Sequence, residues 1–262
     1  ATIEEVWAGL SGPEIQPWNS GGFNCSGEML PELKARLRRL VEAADQAGLV
    51  VCLGLFYFGQ DGRVNGELAI RRAVTSTCRW ILESGYRNVI IEINNEADIP
   101  KYSHDILRAN RVHELINEAR GINVKGQHLL VGTSFTRREL PTTEVIEGSD
   151  FILLHGNGVD VSGGIKSMVD AVRAVDCYRG QPIVFNEDDH FEFDAPTNNF
   201  LEALGARASW GYFDPAAAAS GGFCYGDYVS GFQNPPINWD LNTSRKRSFF
   251  DFVKKVTGSA DY

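Results

Sequence analysis

A run of β-branched residues that ends in acid constrains the fold of this chain most strongly. Residues 89–99 read Val-Ile-Ile-Glu-Ile-Asn-Asn-Glu-Ala-Asp-Ile, and the β-branched composition predicts an extended strand. So much aliphatic bulk indicates a strand buried on both faces, as in the parallel sheets of α/β proteins. A carboxylate in such a strand is costly unless it is paired or used in chemistry. Glu96, at the carboxyl end of the strand, is therefore the first candidate catalytic residue.

A second buried strand ends in the same way. Residues 182–190 read Pro-Ile-Val-Phe-Asn-Glu-Asp-Asp-His, and Glu187 follows directly on the apolar run. In a barrel of parallel strands, the carboxyl ends of the strands form the face where chemistry is done. We therefore expect Glu96 and Glu187 to act together, with Asp188 and Asp189 as rival candidates for the second carboxylate.

Strand and helix patterns alternate six times from residue 31 onward, which predicts a parallel sheet with right-handed crossovers in a single domain over residues 1–262. Residues 1–30 have no clear period, and we interpret them as an irregular loop segment with at most a short helix over 3–10. The last units are predicted as a helix over 198–210 and a strand over 220–225. This pattern fits a doubly wound open sheet. It equally fits a TIM (β/α)8-type barrel whose first units are absent from this chain or hidden in residues 1–30.

Charge and motif content disfavour several classes of function. The net charge of −9 argues against nucleic acid or an anionic membrane as a partner. No apolar run approaches the ~18–20 residues that cross a bilayer, so we expect a soluble protein, either secreted or cytoplasmic. The five cysteines lack the spacing of a disulfide framework or a zinc site, and there is no nucleotide-binding glycine motif. We therefore expect no metal and no cofactor.

Two motifs resemble the catalytic strands of a known enzyme clan. Asn95–Glu96 after Glu92, and Glu187 closing its strand, resemble the retaining glycoside hydrolases of clan A, the cellulase and β-glycosidase superfamily. The resemblance covers roughly residues 31–256 and implies the barrel rather than the open sheet. In that clan the acid/base glutamate follows an asparagine at the end of strand four, and the nucleophile ends strand seven. Counting back from 220–225 as strand eight, the chain matches this numbering, with strands three to eight in residues 31–262.

The chain departs from the clan pattern at two places. The arginine expected on strand two has no counterpart, which suggests that the first barrel units are missing from this chain. Strand eight of the clan usually ends in tryptophan, whereas Phe223, Cys224 and Tyr225 stand at the end of the predicted strand.

The resemblance implies a hydrolase that cleaves β-linked sugars in an oligosaccharide, polysaccharide or glycoside substrate, without a cofactor. Glu187 would be the nucleophile and Glu96 the acid/base, whereas Glu92 is interpreted as a structural acid of the barrel interior. Asn95 would hold the sugar 2-hydroxyl or orient a glutamate, and His155 would contact the substrate or the nucleophile. The aromatic side chains expected to stack on sugars are Tyr57, Tyr225 and Trp239.

Two other classes of function stay open on the sequence alone. A catalytically inactive carbohydrate-binding or scaffold barrel would share the fold, because fold does not settle activity. A metal-dependent barrel could be built from His155, Asp188, Asp189 and His190, although no metal-binding spacing supports it. A Schiff-base enzyme is disfavoured because no lysine ends a predicted strand.

Overall fold

The computed structural model describes residues 2–4, 22–137, 139–213, 241 and 244–258. In this part of the chain, short parallel strands alternate with helices. The strands are β1 (Thr2–Glu4), β2 (Val51–Phe56), β3 (Val89–Asn94), β4 (Val131–Gly132), β5 (Ser134–Phe135), β6 (Ile152–His155), β7 (Ile183–Glu187) and β8 (Ser209–Trp210). The helices are α1 (Pro31–Gln46), α2 (Gly66–Glu83), α3 (Val112–Arg120), α4 (Thr143–Gly148), α5 (Gly164–Arg173), α6 (Asn199–Gly205) and α7 (Ser244–Thr257).

The strands follow one another in space in the same order as in the chain. One sheet has the order β1-β2-β3-β4 and the other β5-β6-β7-β8, with every pairing parallel. Because β4 and β5 lie on one segment interrupted by Thr133, the two sheets form a continuous wall. This sequential order is that of a barrel, whereas a doubly wound sheet reverses its order at a switch point. The predicted α/β barrel-type fold is confirmed. Within the described residues, the outer strands β1 and β8 do not pair with each other, so the barrel is not closed there.

Side chains alternate between the inside of this wall and the helices outside it. Cys52, Phe151 and Leu153 form an inner cluster, with Ile90 and Val184 packed against it. On β3, Ile91 and Ile93 belong to the larger cluster that includes the helices α1 to α3. Glu92, two residues after Ile90, therefore lies on the inner side of the wall, as predicted for a barrel-interior acid.

The first residues differ from the sequence prediction. Residues 2–4 form β1, a strand paired in parallel with β2 through Ile3 and Leu53, so the predicted helix over 3–10 is wrong at its start. The β-branched pair Thr2 and Ile3 favours this conformation, but a three-residue strand is too short to show a period. The remainder of that prediction lies outside the described residues.

The end of the barrel also differs from the prediction. Helix α6 ends at Gly205 rather than continuing to residue 210, and Arg207 adopts the left-handed conformation with φ +57°. A left-handed residue terminates a helix, and Ser209–Trp210 then pairs with β7. The strand that pairs with β7 therefore carries Trp210, which the sequence analysis had placed on a helix. The strand predicted over 220–225 lies outside the described residues.

Candidate active site

Glu96 owes its position to a strained turn at the end of β3. Its φ of +50° lies in the left-handed region, which costs a non-glycine residue about 1–3 kcal/mol. Its backbone N–H donates to the Ser134 hydroxyl oxygen at 2.8 Å, and the N–H of Ala97 donates to the Ser134 carbonyl at 2.9 Å. These bonds hold the turn against β5, and strain of this kind is concentrated at functional sites.

His155, at the end of β6, joins the two predicted glutamates. Its Nδ1 lies 3.0 Å from Glu96 Oε1 and 3.6 Å from Glu187 Oε2. The imidazole side chain is 1% exposed, whereas the side chains of Glu96 and Glu187 are 15% and 21% exposed. Two acids distant in the chain therefore meet at one nitrogen atom, and both keep a face toward the open end of the strands.

The shared nitrogen limits how far apart the carboxylates can be. The distance between Glu96 Oε1 and Glu187 Oε2 cannot exceed the sum of the two contacts, about 6.6 Å,. Carboxyl groups are ~5–5.5 Å apart in retaining glycosidases and ~6.5–9.5 Å apart in inverting ones. The upper limit therefore leaves the retaining geometry available.

The charges around His155 make its imidazole strongly basic. Burial alone would lower the pKa of His155, but the negative charges of Glu187, Glu96 and Glu92 outweigh it and raise the pKa to about 10. The imidazole is therefore protonated at neutral pH and donates its Nδ1–H toward the two glutamates. A fixed positive charge lies between the two candidate catalytic carboxylates.

Glu187 is held by a neighbour that the sequence analysis did not single out. The side-chain amide of Asn157 donates to Glu187 Oε1 at 2.6 Å. Burial raises the pKa of Glu187, and the charges of Glu96 and Asp189 raise it further, while His155 and Asn157 act in the opposite direction. The signal for Asn157 was its place between Gly156 and Gly158, directly after the strand that ends in His155.

Glu92 lies deeper in the same site and is 0% exposed. Burial raises the pKa of Glu92 to about 7, an effect that the positive charge of His155 and the hydroxyl of Ser134 partly offset. Its neighbours in register are Gly54 on β2 and Gly132 on β4. Two glycines beside one glutamate leave space for its side chain in the barrel interior.

Buried polar atoms without hydrogen-bond partners gather at this site. Within the described ranges they include both carboxylate oxygens of Glu92, His155 Nε2, Asn157 Oδ1, Asn95 Oδ1 and both amide atoms of Asn186. Buried polar atoms are almost always satisfied in folded proteins, so such a cluster needs a water or ligand to explain it. The site is thus built to receive polar groups from outside the chain.

The acids that follow Glu187 are placed differently from it. Asp188 is fully buried, and its Oδ1 faces His190 Nδ1 at 2.6 Å. Its Oδ2 accepts from Asn199 at 2.9 Å and from the Trp210 indole at 2.7 Å. Asp189 accepts the backbone N–H of Gly158 at 3.1 Å. Asp188, Asp189 and His190 bring ligand-type atoms within 4.8 Å of one another, but donors already occupy both oxygens of Asp188. This group forms a structural network.

The remaining predicted site residues have different outcomes. Asn95 is 1% exposed. Its backbone N–H donates to Phe56 O at 3.0 Å and its carbonyl accepts from the Tyr102 hydroxyl, so its backbone is fixed directly before Glu96. Tyr57 follows β2 on the same edge, with its ring 4.3 Å from that of Phe58. Sugar contacts by Asn95, His155 and Tyr57 stay predictions, whereas the alternative contact of His155 with Glu187 is present. Tyr225 and Trp239 lie outside the described residues.

The wall of parallel strands, with its candidate site at the carboxyl ends of β3, β6 and β7, defines an α/β fold of the TIM-barrel type. No family model matches the chain, and no curated protein matches its sequence. In the described part of the chain, no helix is long and apolar enough to span a membrane.

Several solved structures are similar to this chain in fold. A GH39 β-xylosidase from Caulobacter crescentus has 18% identity and a TM-score of 0.59, covering 92% of this chain and 62% of the xylosidase. An exo-β-1,4-mannosidase from an Opitutaceae bacterium has 16% identity and a TM-score of 0.56, covering 89% of this chain and 50% of the mannosidase. A family 5 glycoside hydrolase from Prevotella bryantii has 10% identity and a TM-score of 0.52, covering 96% of this chain and 81% of that enzyme. At these identities the similarity establishes the fold.

Proposed function

We propose that this chain is a retaining glycoside hydrolase of the clan A kind, which cleaves β-linked sugars by double displacement. The observation that carries the proposal is the contact of Glu96 Oε1 and Glu187 Oε2 with the same His155 nitrogen, at 3.0 and 3.6 Å. Such a pair can attack one side of an anomeric carbon and protonate the leaving oxygen on the other. The unpartnered polar atoms around the pair would bind the hydroxyl groups of the sugar.

Glu187 is the nucleophile in this mechanism. Its carboxylate oxygen forms a bond to the anomeric carbon while the bond from that carbon to the leaving oxygen breaks. Glu96 gives its proton to the leaving oxygen, and a covalent glycosyl ester on Glu187 results. Asn157, bonded to Glu187 Oε1, orients the carboxylate and leaves Oε2 on the side of His155.

Glu96 then acts as the base. It removes a proton from water, the water oxygen bonds to the anomeric carbon, and the bond to Glu187 breaks, so that both glutamates return to their first state. The negative charge moves from Glu187 to Glu96 in the first step and back in the second. His155, protonated and in contact with both, offers a stationary positive charge to whichever glutamate is ionised.

The substrate proposal rests on the fold neighbours and on the site's charge. The solved neighbours include a β-xylosidase and an exo-β-1,4-mannosidase, so aryl β-xylosides and β-mannosides are the first compounds to test. The side chains that contact the pair are His155 and Asn157, with the acids Glu92 and Asp189 acting on it. An acidic pocket of this kind favours a neutral sugar ring over a uronic acid, whose carboxylate it would repel.

The experiment measures hydrolysis of 4-nitrophenyl β-glycosides by the wild type, Glu96→Ala and Glu187→Ala. We expect both variants to lose turnover, and azide to restore it by taking the place of the missing carboxylate. Rescue of Glu187→Ala should give the α-glycosyl azide, and rescue of Glu96→Ala the β-glycosyl azide, because azide attacks opposite faces of the sugar. Glu192→Ala, which removes an exposed acid after β7, is the matched control and should retain activity.

The alternative function, a catalytically inactive carbohydrate-binding barrel, predicts a different result in the same experiment. It predicts that the wild type binds xylo- or manno-oligosaccharides without turnover, and that neither alanine variant changes the hydrolysis rate. That result would overturn the proposed hydrolase function. Inverted product configuration in proton NMR would instead overturn the retaining mechanism while leaving a glycosidase.

A further inference from the structure

The turn that carries Glu96 begins where the backbone ladder of its strand stops. The parallel ladder between β3 and β4 ends with the pair Glu92 and Gly132. Glu96 has a φ of +50°, and a left-handed residue takes the backbone out of the extended form that a ladder requires. Other groups must therefore hold the end of β3 to the neighbouring segment of β4 and β5.

Three hydroxyl side chains of that neighbouring segment bond to the end of β3 and the turn. The hydroxyl of Thr133 donates to the backbone carbonyl of Asn94 at 2.8 Å. The hydroxyl oxygen of Ser134 accepts the backbone N–H of Glu96 at 2.8 Å. The third hydroxyl belongs to Thr136, and all three side chains are on buried residues. Side-chain bonds thus continue the connection between the two segments beyond the ladder.

Asp98 makes the last of these contacts along the chain, and it uses both carboxylate oxygens. Its Oδ1 accepts the backbone N–H of Thr136 at 2.9 Å, and its Oδ2 accepts the hydroxyl of the same residue. Hydrogen bonds to an ionised carboxylate are among the stronger ones in proteins. The N–H of Ile99 donates to the carbonyl of Glu96 at 2.9 Å, which closes a turn that contains Asp98. The turn is therefore fixed at its start by Ser134 and at its end by Asp98.

We propose that Asp98 is a positioning residue, whose bonds to Thr136 hold the acid/base Glu96 in its left-handed conformation. That conformation places Glu96 Oε1 3.0 Å from His155 Nδ1. It is unfavourable for a glutamate, so the turn loosens when only Ser134 remains to hold it, and a small displacement of a reacting group is costly in rate. The inference rests on the proposed hydrolase function for its effect on catalysis, whereas the hold on the turn does not depend on that function.

General-acid catalysis gives this role a specific signature. Glu96 must protonate a poor leaving group such as phenolate while the glycosidic bond breaks, whereas 2,4-dinitrophenolate leaves without a proton. In Asp98→Ala, kcat/KM should therefore fall at least about 10-fold more on the phenyl β-glycoside than on the 2,4-dinitrophenyl β-glycoside. A merely structural role would lower both values by the same factor.

The other variants separate the bonds of Asp98 from its charge and from general damage. Asp98→Asn keeps an acceptor for the Thr136 N–H and offers an amide donor to its hydroxyl, so it should restore most of the loss. Asp105→Asn is the matched control, because Asp105 is an acid of the same loop whose side chain is 67% exposed and paired with Arg108; it should leave both rates unchanged. If Asp98→Ala does not fold, Thr136→Val, which removes the hydroxyl alone, should show the same preference at smaller size.

The second measurement is amide hydrogen exchange by NMR, which needs no substrate. The N–H groups of Glu96 and Ala97 both donate to Ser134, and their exchange should be faster in Asp98→Ala than in the wild type or in Asp98→Asn. Unchanged exchange in a folded Asp98→Ala variant, or equal losses on the two glycosides, would overturn the proposal. Faster exchange in a protein that hydrolyses neither glycoside would support the hold on the turn and overturn only the hydrolase function.

Discussion

Two clusters of acid and histidine lie side by side at the end of β7, and they are built in opposite ways. In the first, Glu187 meets His155 at 3.6 Å, and the polar atoms around them include several that are buried and unpartnered. In the second, Asp188 meets His190 at 2.6 Å, and Asn199 and Trp210 occupy its other oxygen. Glu187 and Asp188 are adjacent in the chain. Glu187 belongs to an open site, with unpartnered polar atoms around it, and Asp188 belongs to a closed network, in which both of its oxygens have partners.

The difference shows how one strand end can serve both chemistry and stability. A fully satisfied buried network rigidifies its surroundings, whereas unsatisfied polar atoms mark a place where water or a ligand completes the bonding. Asp188 ties β7 to β8 through Trp210, to α6 through Asn199 and to the next loop through His190. A Cβ at Gly156 would lie 2.2 Å from Asp188 Oδ2, so the loop after β6 also packs tightly on this network. Glu187 is thereby held on a rigid support.

The largest expected effect is the loss of hydrolytic activity on substitution of Glu187 in the first cluster. Glu187→Gln should reduce kcat/KM at least about 10⁴-fold, equivalent to ~5 kcal/mol, because the amide cannot serve as the nucleophile. The free energy of unfolding should stay the same or rise, since a buried carboxylate is replaced by a neutral group. Hydrolysis of an aryl β-glycoside and urea unfolding measure the two quantities. A large loss of stability would contradict the assignment of Glu187 to the open site.

The second largest expected effect is a loss of stability, and it concerns Asp188. Asp188→Ala should lower the free energy of unfolding by about 3–5 kcal/mol, because it leaves the Trp210 indole N–H without its acceptor and removes one partner each of Asn199 and His190,. Asp160→Asn is the matched control, since Asp160 touches His190 from the exposed side with an 84% exposed side chain; it should cost less than about 0.5 kcal/mol. Equal effects of the two substitutions on urea unfolding would remove the distinction between the clusters.

Sequence patterns predicted the parts of this molecule that depend on composition. The β-branched run of residues 89–94 and the acid that follows it led to β3 and Glu96, and the apolar run before Glu187 led to β7. The meeting of both acids at His155 follows from parallel strands that share one edge. These features are local, or follow from alternation, and so they can be read without coordinates.

Other features depend on contacts that no single segment contains. The end of α6 is set by Arg207 in a left-handed conformation, which a sequence of good helix formers does not reveal, so Trp210 was predicted on a helix. Asn157, in the loop after β6, donates to Glu187 at the end of the neighbouring strand β7. Asp188 was a rival candidate for the second carboxylate, and only the structure shows that donors occupy both of its oxygens. Sequence supplies the acids; only packing shows which of them is already satisfied.

The third effect concerns Glu92 and has a distinct dependence on pH. Its pKa rises from 4.5 to about 7 on folding, so the folded state loses stability as pH increases from about 4.5 to 7. Glu92→Gln should therefore be more stable than the wild type by about 2 kcal/mol at pH 8, with no difference near pH 4. Urea unfolding at both pH values measures the change. A Glu92→Gln variant that is less stable than the wild type at pH 8 would show that the Glu92 carboxylate has stabilising partners in the folded protein.

The smallest effect belongs to the closed network and runs in the opposite direction with pH. The hydrogen bond that His190 donates to Asp188 raises the pKa of His190 from 6.5 to about 9, with burial opposing and Asp160 and Asp189 assisting. A raised histidine pKa adds stability that is fully present below pH 6.5 and is lost as pH rises to about 9. Because the His190 side chain is partly exposed to solvent, at 18%, His190→Gln should cost only about 1 kcal/mol at pH 6. The difference from the wild type should shrink at pH 9.5, as measured by urea unfolding. Glu92→Gln gains its effect from about pH 4.5 to 7, whereas His190→Gln loses its effect from about pH 6.5 to 9, so a shared pH dependence would mean that the two clusters titrate as one.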